Sequence, residues 1–132
     1  MTPITITIPG RPQPLQRHRM ARSRSYDTAQ NRRNKYAVQQ AALQVLGAAK
    51  PLSGPLAIEA TFAFVRPKSA PKRRTMPEVK PDVDNLVKLL LDALNGVVWR
   101  DDAQVVEMRA RKIYANVEQT RLVVRAAGGS VE

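Results

Sequence analysis

The chain contains no cysteine, which excludes disulfides, thiolate metal sites of the zinc-finger kind and cysteine nucleophiles. Histidine occurs once, at His18, so a bound metal would have to sit on oxygen or on that single ring. Large rings are scarce as well: two Phe, three Tyr and one Trp among 132 residues leave material for one modest core, and a domain with so small a core gains from dimerisation. No apolar run approaches the roughly 18 residues of a membrane span. Met1 to Gly10 alternates Ile and Thr rather than joining a basic segment to an apolar one, so the expectation is a soluble, cytoplasmic protein without membrane contact. No internal repeat is visible.

What the chain has in excess is positive charge. Lys and Arg number 22 against 11 Asp and Glu, a formal net charge of +11, and such a surface suits a polyanion. The charge is also clustered. Arg11 to Lys35 holds eight basic residues and one acid, Asp27, and the arrangement predicts nucleic-acid binding through Arg17, Arg19, Arg22 and Arg24, with His18 as a phosphate or surface contact.

Apolar spacing predicts the elements. Ile4, Ile6 and Ile8 alternate with threonines as in a strand with one buried face, which Gly10, Pro12 and Pro14 end. Residues 11–26 read as a long basic loop. Asp27 with Gln30 in capping-box spacing, followed by Val38, Ala42, Val45 and Ala49, predicts a helix over about 28–49. Leu56 to Val65 alternates as a second strand that Pro67 stops, and the stretch to Lys80, with Lys72, Arg73 and Arg74, reads as a flexible basic flap. A second helix is predicted over about 83–95, burying Val83, Leu86, Leu90 and Leu94, with Gly96 at its end. Val97–Trp99, Val105–Tyr114 and Thr120–Val124 read as three more strands, before an unstructured tail from about 127, and Trp99 is expected in the core. The prediction is a mixed α/β (α+β), single two-layer domain in the order β-α-β-α-β-β-β, with two helices on a sheet of four to five strands.

Five of the eleven acids fall within Asp82–Asp102. In a chain of this charge such crowding suggests a cation, and magnesium prefers carboxylate oxygen and water. At 100° per residue Asp84, Lys88, Asp92 and Asn95 share one polar stripe of the second helix. Asp82 joins that cluster only from a non-helical cap position, which the bias of Lys80 before Pro81 away from helix favours. Asp101 and Asp102 follow at a turn roughly one helix length plus a return from Asp82, so the chain can bring them back beside the helix start; being adjacent, at most one of them is an easy partner of Asp82 and Asp84. The carboxylates would hold Mg²⁺ against a scissile phosphate, and Lys88 would offset developing charge. Plainer roles exist for each residue. Asp82 can be an N-cap, Asp84 can favour the helix dipole, Lys88 can pair with Asp84, and Asp101 with Asp102 can form a turn. Lys112, in phase with Val106, Met108 and Ala110, either snorkels or makes an accessory contact to the site.

The continuous stretch from Lys80 to Val105 resembles the signature of the RusA family of Holliday junction resolvases, joining Asp82, Asp84, Asn85, Lys88 and Asp92-Ala93-Leu94 to Asp101-Asp102 and Gln104-Val105. Gly10-Arg-Pro-Gln-Pro and Tyr26 look like the family's opening. The resemblance implies a homodimeric endonuclease that binds four-way junction DNA and nicks two strands symmetrically with Mg²⁺, Mn²⁺ being a substitute. It implies a setting of DNA recombination and repair in a bacterial or phage-infected cell. By motif position it makes Asp82, Asp84 and Asp102 the metal-binding catalytic acids and Lys88 the catalytic-site lysine, with Asp101 a weaker candidate and Asp92 a support. The rival readings are a magnesium nuclease for other branched DNA and a non-catalytic nucleic-acid-binding protein whose acids are structural.

Overall fold

A computed structural model describes residues 1–16, 19–21 and 24–128, without side-chain detail over 17–26. The isoleucine alternation places Ile6 and Ile8 inward on β1 (Ile4–Pro9). This strand pairs antiparallel with β6 (Gln119–Ala126), setting Ile6 against Leu122 and Ile4 against Val124. Beyond β6 comes β4 (Leu56–Phe64), antiparallel to it, and then β5 (Val105–Tyr114), parallel to β4. The mixed sheet therefore has four strands in the order β1-β6-β4-β5. On β4, flanked on both sides, Leu56, Ile58, Ala60, Phe62 and Phe64 are buried, and so are Ala57 and Ala63 on the opposite face.

The element order follows the predicted β-α-β-α-β-β-β. Its short strand at Val97–Trp99 is reduced to bridge pairing of Trp99 with Leu52 and Asn95, outside the four-stranded sheet. The basic loop contains structure that its sequence does not announce: β2 (Arg19–Ala21) and β3 (Arg24–Tyr26) form an antiparallel hairpin. Strands of three residues are too short for an alternating pattern to show.

Helix α1 (Ala29–Leu46) begins at Thr28 rather than Asp27, because the Thr28 hydroxyl accepts the Asn31 amide. The predicted capping box does not form. Gln30 turns instead to Asn34 and Arg33, while the Asp27 carboxylate takes Asn31 Nδ2 and Lys35. Val38 and Ala42 are buried as the spacing requires, but Val45 is exposed and Ala49 lies past the helix. The helix stops early because Gly47, at φ 60°, turns its amide back onto the Leu43 carbonyl.

Helix α2 (Val83–Leu94) buries Leu86, Val87, Leu89, Leu90, Ala93 and Leu94. Burial of a leucine of this kind stabilises by about 1.5–3 kcal/mol. Val83 shares that stripe but remains exposed, contrary to expectation, since cover is incomplete over the first turn. Both helices pack on the sheet face carrying Ile6, Ile8, Ile58, Phe62 and Leu122, and Gln39 on α1 donates to the Ala93 carbonyl of α2. No helix among the described residues is long and apolar enough to cross a membrane.

Candidate active site

Packing fixes α2 by its apolar side, so its polar stripe faces outward: Asp84, Lys88, Asp92 and Asn95 are all exposed. At the helix start Asp82 is extended (φ −72°, ψ 140°), and its carbonyl accepts the Leu86 amide at 3.2 Å while its carboxylate makes no capping hydrogen bond. The cap position is thus filled by an aspartate whose charge is not consumed by capping. Asp84 accepts the Asn85 amide on one oxygen, and its other oxygen lies 3.9 Å from Lys88 Nζ. With both side chains more than half exposed, that pair adds little stability.

The turn after α2 is built on Trp99, which is fully buried and donates its indole N–H to Asn95 Oδ1 at 3.0 Å. Gln104 ties the turn down, donating to the Leu52 and Gly54 carbonyls and accepting the Arg100 and Asp101 amides. Asp101 caps the single 3-10 turn Asp102–Gln104, its carboxylate taking the Ala103 amide at 2.9 Å in a complete capping box with Gln104. Of the two adjacent acids Asp101 is therefore engaged in local structure.

Asp102 does not return to the helix start beside Asp82 and Asp84, as the sequence led one to expect; it lies at the other end of α2, near Asp92 and Asn95, because the turn that carries it follows directly from the end of that helix. Partial burial raises its carboxyl pKa above the ordinary aspartate value, and the neighbouring carboxyls of Asp101 and Asp92 raise it further, while the Asn95 amide opposes the rise by favouring the charged form. Asp92 itself lies 3.7 Å from Lys35 Nζ, which also binds Asp27 at 2.8 Å. Negative charge is thus crowded where Asp102 meets the end of α2, a condition that a cation relieves. The donor set fits magnesium chemically, being oxygen only. Among the described residues, no three acids or histidines converge closely enough to hold a metal ion.

Cationic side chains lie on the flap and on the strap before α1. Lys72 and Arg73 are exposed on the flap and Arg74 is half-buried. The flap backbone is gathered around Arg66, whose guanidinium donates to the carbonyls of Ala70, Pro71 and Arg74. Arg19 and Arg24 belong to the β2–β3 hairpin, but their side chains, like Arg17, His18 and Arg22, lie outside what the structure describes, as does the tail beyond 128. A strap over residues 11–16 leads to that hairpin. Its Leu15 amide bonds the Asn85 carbonyl of α2, and its Gln16 is bound at both backbone groups by the buried Asn31 side chain. Between strap and helix start runs an open cleft whose polar lining is Arg11, Gln13, Gln16, Lys80, Asp82 and Asn85.

The sequence pattern did not reveal the structural roles of three of these groups. Asn31 is a buried polar residue inside a helical run, and nothing in its spacing marks it. Asn95, beside Asp102, was legible only as part of the polar stripe. Gln104 sits three residues after Asp101, a capping-box spacing that the sequence did carry. Lys112 does not snorkel to open water; its ammonium donates to the Val79 and Pro81 carbonyls at 2.6 and 2.8 Å.

A protein of Bacillus subtilis (strain 168), described as the uncharacterized protein YqaN, is 33% identical over 84 residues, covering 56% of this chain and 59% of the relative. The chain thus spans about three fifths of the length of that curated relative. The family model described as "Endodeoxyribonuclease RusA" matches residues 9–126, which includes β1's end, both helices and every acid considered above. The chain belongs to the RusA endodeoxyribonuclease family.

Proposed function

We propose that this protein is a magnesium-dependent, structure-specific endonuclease that resolves four-way DNA junctions by paired symmetric nicks, acting as a homodimer in recombination and repair. The observation that carries the proposal is the start of α2, where Asp82 occupies the cap position without capping and Asp84 and Lys88 follow on the exposed stripe. Asp82 and Asp84 at the start of α2 would hold Mg²⁺, or Mn²⁺ in its place, together with phosphate oxygens of the bound DNA; motif position also names Asp102 as a ligand, although it stands at the other end of the helix, beside Asp92 and Asn95. The bound ion supplies Lewis-acid polarisation of the phosphate and a lowered water pKa. Lys88 contributes positive charge where negative charge grows on the phosphate oxygens. Asp101 keeps the turn that carries Asp102 in shape.

Cations beside the acids make DNA binding compatible with an acidic centre. Arg11 and Lys80 in the cleft, with Lys72, Arg73 and Arg74 on the flap, neutralise phosphates along the strand, and Arg17, Arg19, Arg22 and Arg24 extend this role to the hairpin loop. A cytoplasmic setting in a bacterial or phage-infected cell accords with this substrate.

The test is cleavage of labelled four-way junction, flapped and linear duplex DNA, with Mg²⁺ present or withheld. Symmetric nicking of the junction that needs the ion, with linear duplex spared, is the expected result. Equal cutting of all three substrates would leave a general nuclease, and binding without cutting would leave a structural DNA-binding protein.

A further inference from the structure

Lys112 occupies a place on β5 that strand periodicity assigns to an apolar side chain, two residues beyond Ala110 and four beyond Met108, in register with the fully buried Phe62 of β4. A lysine there must either carry its ammonium out to water or find acceptors at the sheet surface. It finds acceptors. Nζ donates to the carbonyls of Val79 and Pro81, at 2.6 and 2.8 Å, on either side of Lys80.

The second of those carbonyls matters for the acids. Pro81 C=O belongs to the peptide whose nitrogen is that of Asp82, so Lys112 fixes the peptide plane entering Asp82. The plane leaving Asp82 is fixed by its carbonyl, which accepts the Leu86 amide. With no cap bond from its own carboxylate, Asp82 owes its setting to these two backbone contacts, one from the helix and one from the edge strand. A compact ammonium with three donors suits this bridging of two carbonyls. We infer that Lys112 is a positioning residue that sets Asp82 for ion binding from the far side of the flap. The inference rests on the nuclease reading above, and it adds a residue that acts through the backbone and touches neither DNA nor ion.

The test compares Lys112→Met, which keeps the stem and removes the charge, with Lys112→Arg. Four quantities are measured: binding of Mn²⁺ alone by electron paramagnetic resonance, single-turnover junction cutting in Mg²⁺, junction affinity and melting temperature. The Met variant should bind Mn²⁺ about tenfold more weakly and cut about tenfold or more slowly, with junction affinity within about threefold of wild type, and the Arg variant should recover most of both losses. If the Met variant does not fold, Lys112→Gln, which keeps an uncharged NH₂ group on a shorter stem, takes its place in the same comparison. A variant that binds Mn²⁺ and cuts like the wild type overturns the inference. So does a rate loss matched by lost junction affinity, which would make Lys112 a DNA contact, or unchanged Mn²⁺ binding beside a lowered melting temperature, which would make it purely structural. Wild-type protein that neither binds Mn²⁺ nor cuts any branched DNA overturns the nuclease reading itself, a result distinct from wild type cutting and the variant matching it.

Discussion

Helix α1 buries only Asn31, Val38, Ala41 and Ala42 and uses its polar side chains to fasten the segment before it, whereas α2 buries six apolar side chains and keeps its charged stripe out of the packing. Asn31 holds the strap residue Gln16 at both backbone groups and bonds Asp27, while Lys35 joins Asp27 to Asp92. Asp84 and Lys88 on α2 face each other at 3.9 Å, largely in solvent, with the Asn85 amide on the second Asp84 oxygen. The difference teaches which polar residues can be read as structure. On α1 they replace a missing apolar stripe, and on α2 they are free for chemistry because burial on the opposite side already holds the helix.

That contrast can be broken by mutation. Leu90→Ala in α2 should cost the most stability, about 2–5 kcal/mol, seen as a lowered denaturant midpoint. Asn31→Ala in α1 comes next, at about 1–3 kcal/mol, because it strands the Gln16 backbone groups it now satisfies. It should also weaken junction binding by loosening the strap and the basic hairpin beyond it. Lys88→Met should leave the melting temperature nearly unchanged and still slow junction cutting by about tenfold to a hundredfold. A melting temperature that falls as far for Lys88→Met as for Asn31→Ala would erase the distinction between the helices.

The smallest effect expected is on pH dependence. Because the folded Asp102 carboxyl has a raised pKa, the folded state holds its proton more tightly than the unfolded chain. Stability from this group therefore falls as pH climbs from the ordinary aspartate value through the raised one. Asp102→Asn should accordingly melt slightly higher than wild type near neutrality, with the gain vanishing in acid, where the wild-type carboxyl is protonated in both states. Added Mg²⁺ should shrink the same difference by stabilising the wild type. A variant that melts lower at neutral pH would contradict the crowding of charge around Asp102.

Much of this was legible in the chain because it follows from periodicity. β1, β4 and α2 each carry long, clean apolar patterns, and the polar stripe of α2 is the complement of its buried one. Short or polar features were less visible. The β2–β3 hairpin has too few residues to show a pattern, and Asn31 looks like any polar residue in a helix. The same capping-box rule failed at Asp27 and Gln30 yet holds at Asp101 and Gln104. At the first site Thr28 lies one residue closer and takes the amide; at the second no competitor intervenes. The sequence also could not say which carbonyls Lys112 would meet, since the strand and the flap are brought together only by the fold.

The central claim is that Asp82 and Asp84 at the start of α2, with Asp102 of the following turn, serve DNA cutting and do not hold the fold. Its most direct measurement is Asp82→Asn assayed in parallel for folding, junction binding and junction cutting in Mg²⁺. The account predicts wild-type melting, junction binding as tight as wild type or tighter because a negative charge near phosphate is removed, and cutting reduced by about 10²–10³-fold or more. Cutting at the wild-type rate, or loss of cutting accompanied by loss of fold or binding, would contradict it.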